Sequence, residues 1–134
     1  MPCGAPVRLA AVVVAVVIVA GAATACGTRD VTPPGVVCAM YAAAGLNVTV
    51  TDSVSGAPVS GATVVAVGRN GARNDSTITG SGGTAALLYE APGSFDVTVR
   101  LSGYATWSRA GIAIAKDVCH VIPVSLGARL QRPR

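Results

Sequence analysis

The chain has 134 residues, of which 51% are hydrophobic and only 12% are charged, so it holds one domain at most and is not intrinsically disordered. The formal net charge is +4, but the ten basic residues are scattered, except for Arg129, Arg132 and Arg134 at the C-terminus. Nucleic-acid binding needs basic side chains clustered on one face or one helix, so this distribution argues against a nucleic-acid partner.

Residues 1–25 have the organisation of a secretory signal peptide. Arg8 provides a short basic start, and residues 9–25 form an uncharged apolar run that ends in small side chains. Such a segment directs export and is cleaved after the small residues. Cys26 follows at once, and the phrase ATAC at 23–26 resembles the lipobox of bacterial lipoproteins.

That resemblance implies that the thiol of Cys26 carries a lipid, that the signal is cut before it, and that acyl chains anchor the mature protein. Ala23 departs from the lipobox pattern, which prefers Leu or another larger aliphatic residue. An uncleaved signal anchor is an alternative, because residues 9–25 just reach the length that spans a bilayer. Ordinary secretion is another. All three export the rest of the chain, and the lipidated form is expected in the bacterial cell envelope, facing the periplasm or the exterior.

Two of the four cysteines are predicted to form a disulfide. Cys3 belongs to the signal segment and Cys26 takes the lipid, which leaves Cys38 and Cys119 in an oxidising compartment. A redox pair needs CxxC spacing and a zinc site needs four ligands, whereas these cysteines are far apart and His120 is the single histidine. We therefore expect a structural disulfide that ties the leader to the last strand.

The segment that follows Cys26 is predicted to be a leader without regular structure, and strands begin after it. Residues 26–45 form a lipidated tether, with a short helical turn over 36–45. From residue 46 the sequence alternates with period two, and Leu46, Val48 and Val50 share one face. Further strand-like segments follow, separated by turn residues: ATVVAVGR, ARNDSTIT, TAALLYE, SFDVTVRL, a broken strand over 104–116, and DVCHVIPVSLGARL.

The turns and strands together predict an all-β fold. Asn70-Gly71 is typical of a hairpin because both residues tolerate positive φ, and the polar segment after it is typical of a sheet edge. Pro123 indicates an edge or a bulge in the last strand, which would also contain His120. About seven short strands predict a seven-stranded antiparallel β-sandwich over 46–128, followed by a frayed basic tail at 129–134.

Three phrases stand in order along the predicted sandwich: VTDSVSGAPVSGATV at 50–64, APGSFDVTV at 91–99 and SGYATW at 102–107. Together they resemble the carboxypeptidase regulatory-like domain, a transthyretin-like (prealbumin-like) β-sandwich, over about residues 46–126. The matching positions are Asp52, Gly56, Pro58, Val59, Gly61, Ala62, Pro92, Gly93, Phe95, Val97, Gly103 and Tyr104. Residues 80–90 depart from the family's usual Asp-Gly or Gly-x-Tyr phrase. The resemblance implies an accessory module and leaves the function to be argued from a site.

The residues do not suggest catalysis, a cofactor or a bound metal. His120 has no second histidine to act with, and the six acidic residues are spread along the chain without a close pair. The related sandwich that hydrolyses 5-hydroxyisourate uses several His and Arg residues and ends in a Tyr-Arg-Gly-Ser-type tail. This chain ends instead in GARLQRPR. We therefore expect a protein that is not an enzyme.

Tyr104, Trp107 and Arg109 form the candidate contact patch, because an exposed aromatic beside an arginine suits protein or glycan recognition. The alternative is that Trp107 belongs to the core. The sequence thus predicts a membrane-anchored envelope lipoprotein whose sandwich is a non-catalytic binding or structural module. A hydrolase on the same fold and a passive envelope spacer are the alternatives. The expected partners are the membrane, through the lipid, and an envelope protein or glycan.

Overall fold

The computed structural model describes residues 35–134, which form seven strands. The strands are β1 (Ala44–Asp52), β2 (Thr63–Gly68), β3 (Asp75–Ile78), β4 (Thr84–Tyr89), β5 (Gly93–Arg100), β6 (Trp107–Ile114) and β7 (Val124–Leu130). Within this part of the chain, no helix has the length and apolar character needed to cross a membrane. The predicted signal peptide and the lipidation site at Cys26 lie outside the described residues.

The strands pair into a three-stranded sheet of order β4-β1-β7 and a four-stranded sheet of order β3-β2-β5-β6. Four of the five pairs are antiparallel, but β1 and β7 run parallel, with Leu46 opposite Val124. The predicted all-β sandwich of seven strands is confirmed, whereas its description as antiparallel is wrong for this pair. The reason is that the chain crosses from β6 to the other sheet, so that β7 starts at the same end as β1.

The two sheets share one hydrophobic core, to which every strand except the edge strand β3 contributes buried side chains. In β1, Leu46, Val48 and Val50 are buried, as the period-two pattern predicts, and the residues between them face outward or are half-buried. In β5, Phe95 is fully buried and is the largest such side chain among the described residues. The inward residues of both sheets therefore interdigitate in the layered packing of a β-sandwich.

The predicted turn between β2 and β3 is confirmed. Asn70 and Gly71 have φ angles of 53° and 82°, the left-handed conformations that an Asn-Gly pair adopts most easily. The turn around Gly56 and Pro58 reverses the chain in a short antiparallel pairing, in which the N–H of Asp52 donates to the carbonyl of Ala57 and the N–H of Val59 to the carbonyl of Val50, both at 2.9 Å. The chain then continues from this turn into β2, which lies in the other sheet.

The leader and the β6–β7 loop differ from the sequence-based expectation. The described residues before β1 contain no helix, so the short helical turn predicted over 36–45 is wrong. Cys119 and His120 lie in the loop between β6 and β7 rather than in the last strand. The cause is Asp117, whose Oδ1 accepts the backbone N–H groups of Cys119 at 2.7 Å and of His120 at 2.8 Å and so folds the chain into a turn.

More of the C-terminal segment is part of the sandwich than the sequence predicts. β7 continues to Leu130, which is fully buried, so the strand includes the first two residues of the predicted basic tail. The backbone N–H of Ala105 donates to the carbonyl of Gln131 at 2.7 Å, and Arg132 contacts Asp52. These contacts replace the fraying that was expected from residue 129 onward.

Candidate functional site

Polar side chains gather at the two opposite ends of β1. At its C-terminal end, Asp52, Tyr104 and Arg132 form a hydrogen-bonded group that we call the Asp52 cluster. Before its N-terminal end lies a second group, which we call the leader clasp. The leader clasp consists of Cys38, Tyr41, Glu90, Cys119 and His120.

Asp52 continues the inward-facing row of β1, which makes it a carboxylate at an otherwise apolar position, with 6% of its surface exposed. Its Oδ1 accepts the backbone N–H groups of Val54 at 2.9 Å and Ser55 at 3.0 Å. Its Oδ2 accepts the hydroxyl of Tyr104 at 2.9 Å and Nε of Arg132 at 3.3 Å. These donors, led by the backbone N–H groups, hold the pKa of the Asp52 carboxyl well below its usual range.

Tyr104 and Arg132 complete the cluster from two other parts of the chain. The hydroxyl of Tyr104 donates to the Asp52 carboxylate. Arg132 donates through Nη2 to the Tyr104 hydroxyl at 3.2 Å, and its guanidinium carbon lies 5.2 Å from the centre of the ring. The cluster therefore links β1, the β5–β6 loop and the C-terminal segment, and it uses the polar atom of Tyr104 within the fold.

We expect Asp52→Asn to lower the melting temperature at neutral pH, because the amide carries no charge for the donors that surround it. Since the folded-state pKa lies below the unfolded value of about 4, the carboxylate stabilises the fold above that pH. This contribution is lost as the pH falls from about 4 through the lowered folded-state value. The melting temperatures of the wild type and the variant should thus converge toward about pH 2, as followed by circular dichroism.

Asp96→Asn is the matched control for this prediction. Asp96 pairs with Arg69 through two oxygens, but both side chains are nearly half exposed, so solvent and salt weaken the pair. Its substitution should shift the melting temperature less, and the shift should shrink further in high salt. If the melting temperature of Asp52→Asn depended on pH in the same way as that of the wild type, the assignment of Asp52 as the central acceptor would be contradicted.

The leader clasp fastens the chain before β1 to the β6–β7 loop. A disulfide joins Cys38 to Cys119 with 5.2 Å between their Cα atoms, so the predicted pairing is present in the structure. Three residues after Cys38, the ring of Tyr41 stacks on the imidazole of His120 with 4.6 Å between the ring centres. The covalent bond and the stacked rings therefore fix the leader at this end of the sandwich.

Glu90 completes the clasp from the residue that follows β4. Its Oε1 accepts the backbone N–H of Ala43 at 2.7 Å and lies 2.8 Å from Nδ1 of His120. The Ala43 N–H is the main cause of a lowered Glu90 pKa, and His120 adds to it. Nε2 of His120 is buried and makes no hydrogen bond to any described residue. Neither ring nitrogen is therefore presented to a substrate from solution.

The three residues of the predicted contact patch do not form one surface. Trp107 is half-buried and packs against the core, and it also lines an open cleft of about 520 Å³ between the ends of β6 and β7. Arg109 is exposed on β6, and Tyr104 belongs to the Asp52 cluster. Neither of the two lines the cleft. The residues that line this Trp107 cleft are Ala105, Thr106, Trp107, Ser108, Arg129 and Gln131.

Sequence reasoning missed several of these partners, although signals for them exist. Asp52 follows Leu46, Val48 and Val50 at the same period of two, so the alternation itself marks it as an inward carboxylate that needs donors. Tyr41 and His120 lie close in sequence to the two cysteines of the predicted disulfide, so that bond already places them near each other. For Glu90 and Arg132, no local pattern indicates the partner.

The family model of the carboxypeptidase regulatory-like domain matches residues 45–126. The match covers more than half of the chain and extends from the start of β1 into β7. The chain belongs to the carboxypeptidase regulatory-like domain family. No curated protein gave a significant match.

Two parts of the site lie outside the residues matched to the carboxypeptidase regulatory-like domain. Cys38 and Tyr41 precede the match, and Arg132 follows it, so the leader clasp and the Asp52 cluster each extend the domain with residues of this chain. Among residues 35–134, no three His, Cys, Asp or Glu side chains come close enough to bind a metal ion together.

Proposed function

We propose that this carboxypeptidase regulatory-like domain is a lipid-anchored module of the bacterial cell envelope that binds a partner and does not catalyse a reaction. The proposal that the domain does not catalyse a reaction rests on one observation: the side chains of Asp52 and His120 are used in contacts within the fold. Asp52 accepts four hydrogen bonds, and His120 lies between Glu90 and Tyr41 with its free nitrogen buried. Groups used in this way cannot exchange protons with a substrate without breaking the fold's own contacts.

Two observations support an anchored position outside the cytoplasm. Cys26 directly follows the small residues at the end of an apolar run, which is the arrangement that signal cleavage and lipidation need. The Cys38–Cys119 disulfide supports an oxidising compartment, because structural disulfides are rare in the cytosol. The envelope meets both conditions.

The Trp107 cleft is the surface that we propose for the partner. Trp107 offers a large apolar face held by the core, and Arg129 and Gln131 offer hydrogen-bond donors at the cleft wall. Arg129 is itself positioned by a hydrogen bond from Nη2 to the carbonyl of Ser53 at 3.0 Å. Aromatic and arginine side chains that are held in place contribute most to binding surfaces, so the cleft suits an envelope protein or glycan.

A photo-cross-linking side chain at Ser108 should capture this partner in intact envelopes that contain the full chain. Ser108 lines the cleft on β6, whereas Ser76 is exposed on β3, at the opposite edge of the same sheet, and provides the matched control position. Capture should fall by about tenfold with Gln131→Ala, which is the loss expected when one contributing side chain is removed. Trp107→Ala should lower capture as well, with circular dichroism to check that the sandwich is intact.

The same experiment separates the alternative functions. Equal capture from Ser108 and Ser76, or capture that Gln131→Ala leaves unchanged, would contradict the cleft as the binding surface. The absence of any cross-linked partner at either position would favour a passive envelope spacer. Loss of the fold in Trp107→Ala would assign that side chain to the core, and Gln131→Ala, at the cleft wall, would still test the cleft.

A further inference from the structure

Exposed apolar side chains are concentrated where the leader meets the sandwich. Six of the ten large hydrophobic side chains that are exposed within residues 35–134 lie there, and Val37 is 93% exposed and Val118 63% exposed. A contiguous exposed apolar surface usually marks an interaction site. We call this surface the leader patch; it consists of Val36, Val37, Met40, Tyr41, Val118 and Ile122.

The leader patch is held in place by the clasp beneath it. The disulfide joins the two segments that carry the patch, Tyr41 stacks on His120, and Asp117 caps the turn next to Val118. These contacts hold the two segments at this end of the sandwich, whose core is already filled by residues of both sheets. The exposure is therefore a built feature of this end of the domain.

The position of the patch identifies what it faces. Residues 27–35 connect Cys26 to the start of the leader patch, and at about 3.3–3.6 Å per residue this connection reaches at most roughly 35 Å. On the proposed lipid anchor, on which this inference rests, the leader end is therefore the part of the domain that the chain keeps nearest to the bilayer. We propose that the leader patch rests on the lipid surface and orients the sandwich with the Trp107 cleft pointing away from the membrane.

The charges around the patch are compatible with an anionic lipid surface. The nearby acids are occupied. Glu90 accepts the Ala43 N–H beside His120, and Asp117 caps the loop. Asp75 accepts the backbone N–H of Leu88 and lies 3.9 Å from Arg73. Lys116 and Arg73 are exposed at the same end, and cations near a bilayer are attracted to anionic headgroups. Because cations also occur at the opposite end of the domain, charge alone does not identify the end that faces the membrane. The exposed apolar side chains and the short tether do. Tyrosine, in addition, favours the headgroup region.

Fluorescence quenching by brominated lipids tests this orientation in the full-length protein. Trp107 is the single tryptophan and lies at the end opposite the leader. The emission of the wild type therefore reports on the end that should face away from the membrane, and it serves as the control. In Tyr41→Trp combined with Trp107→Phe, the introduced indole reports on the leader patch. In phosphatidylcholine–phosphatidylglycerol vesicles brominated near the headgroups, we expect it to lose about half of its emission, because interfacial groups enter the headgroup boundary. The emission of Trp107 in the wild type should stay unchanged.

Two further variants test the apolar contacts directly. Met40→Asp with Val118→Asp, added to the reporter chain, should abolish the quenching while the lipid keeps the protein on the vesicles. Val54→Asp is the matched control, since Val54 is 91% exposed at the opposite end of β1 and should change nothing.

Flotation of the same vesicles separates this inference from the proposed anchor. A wild type that does not float would overturn the lipid anchor. A protein that floats with an unquenched reporter would overturn only the leader patch. A reporter that is unquenched but blue-shifted would show that protein, either a second copy or another chain, covers the patch instead of lipid.

Discussion

Replacing Cys38 and Cys119 together by Ser should lower the free energy of unfolding by about 4 kcal/mol, because the disulfide closes a loop between residues separated by 81 positions. Without the bond the unfolded chain gains the entropy of that open loop. Domains of this size are stable by only about 5–15 kcal/mol, so the variant should be folded but marginal. Urea unfolding followed by circular dichroism measures the difference.

Reduction provides the internal control for the disulfide prediction. A thiol reductant should destabilise the wild type by the same amount as the double substitution and should leave the double variant unaffected. Loss of the bond should also loosen the stacking of Tyr41 on His120, which hydrogen exchange at the Ala43 N–H would detect. Equal stability of the oxidised wild type and the variant would mean that the leader clasp does not stabilise the sandwich.

Phe95→Ala should lower the free energy of unfolding by about 3–5 kcal/mol, which makes it the other large effect. Phe95 is fully buried, and it lies between Gly68 of β2 and Ile112 of β6 in the sheet register. The substitution deletes the aromatic ring from the core and leaves a cavity that the surrounding strands can fill only in part. Equilibrium unfolding in urea measures the loss.

Val67→Ala is the matched control for Phe95. Val67 lies on the adjacent strand β2 but is 47% exposed, so its truncation should cost less than about 0.5 kcal/mol. Phe95→Leu should fall between the two variants, because it keeps part of the buried volume. A loss for Phe95→Ala as small as that for Val67→Ala would contradict the assignment of Phe95 to the centre of the core.

The alternation of apolar residues is what made the strands predictable. It identified the buried faces of β1 and β5, because a half-buried strand must repeat every second residue. The same pattern contains no information about which strand lies beside which. The parallel pairing of Leu46 with Val124 and the change of sheet between β1 and β2 therefore could not be predicted from it.

The polar contacts were predictable only where a local rule applies. The disulfide followed from the number and separation of the cysteines, and the Asn70-Gly71 turn from the φ preferences of its residues. His120 was predicted to lie in the last strand, but Asp117 folds that segment into a loop. The partners of the Asp52 cluster are far apart in sequence, since Arg132 lies 80 positions from Asp52, and only the fold brings them together.

The intact mass of the protein extracted from membranes, with thiols alkylated before and after reduction, tests the account most directly. The proposed lipid-anchored module predicts a chain that begins at Cys26 and carries acyl mass. It also predicts that Cys38 and Cys119 are alkylated only after reduction. An unacylated, full-length chain whose thiols are alkylated without reduction would contradict both the anchor and the disulfide, and with them the proposed place of this domain in the cell envelope.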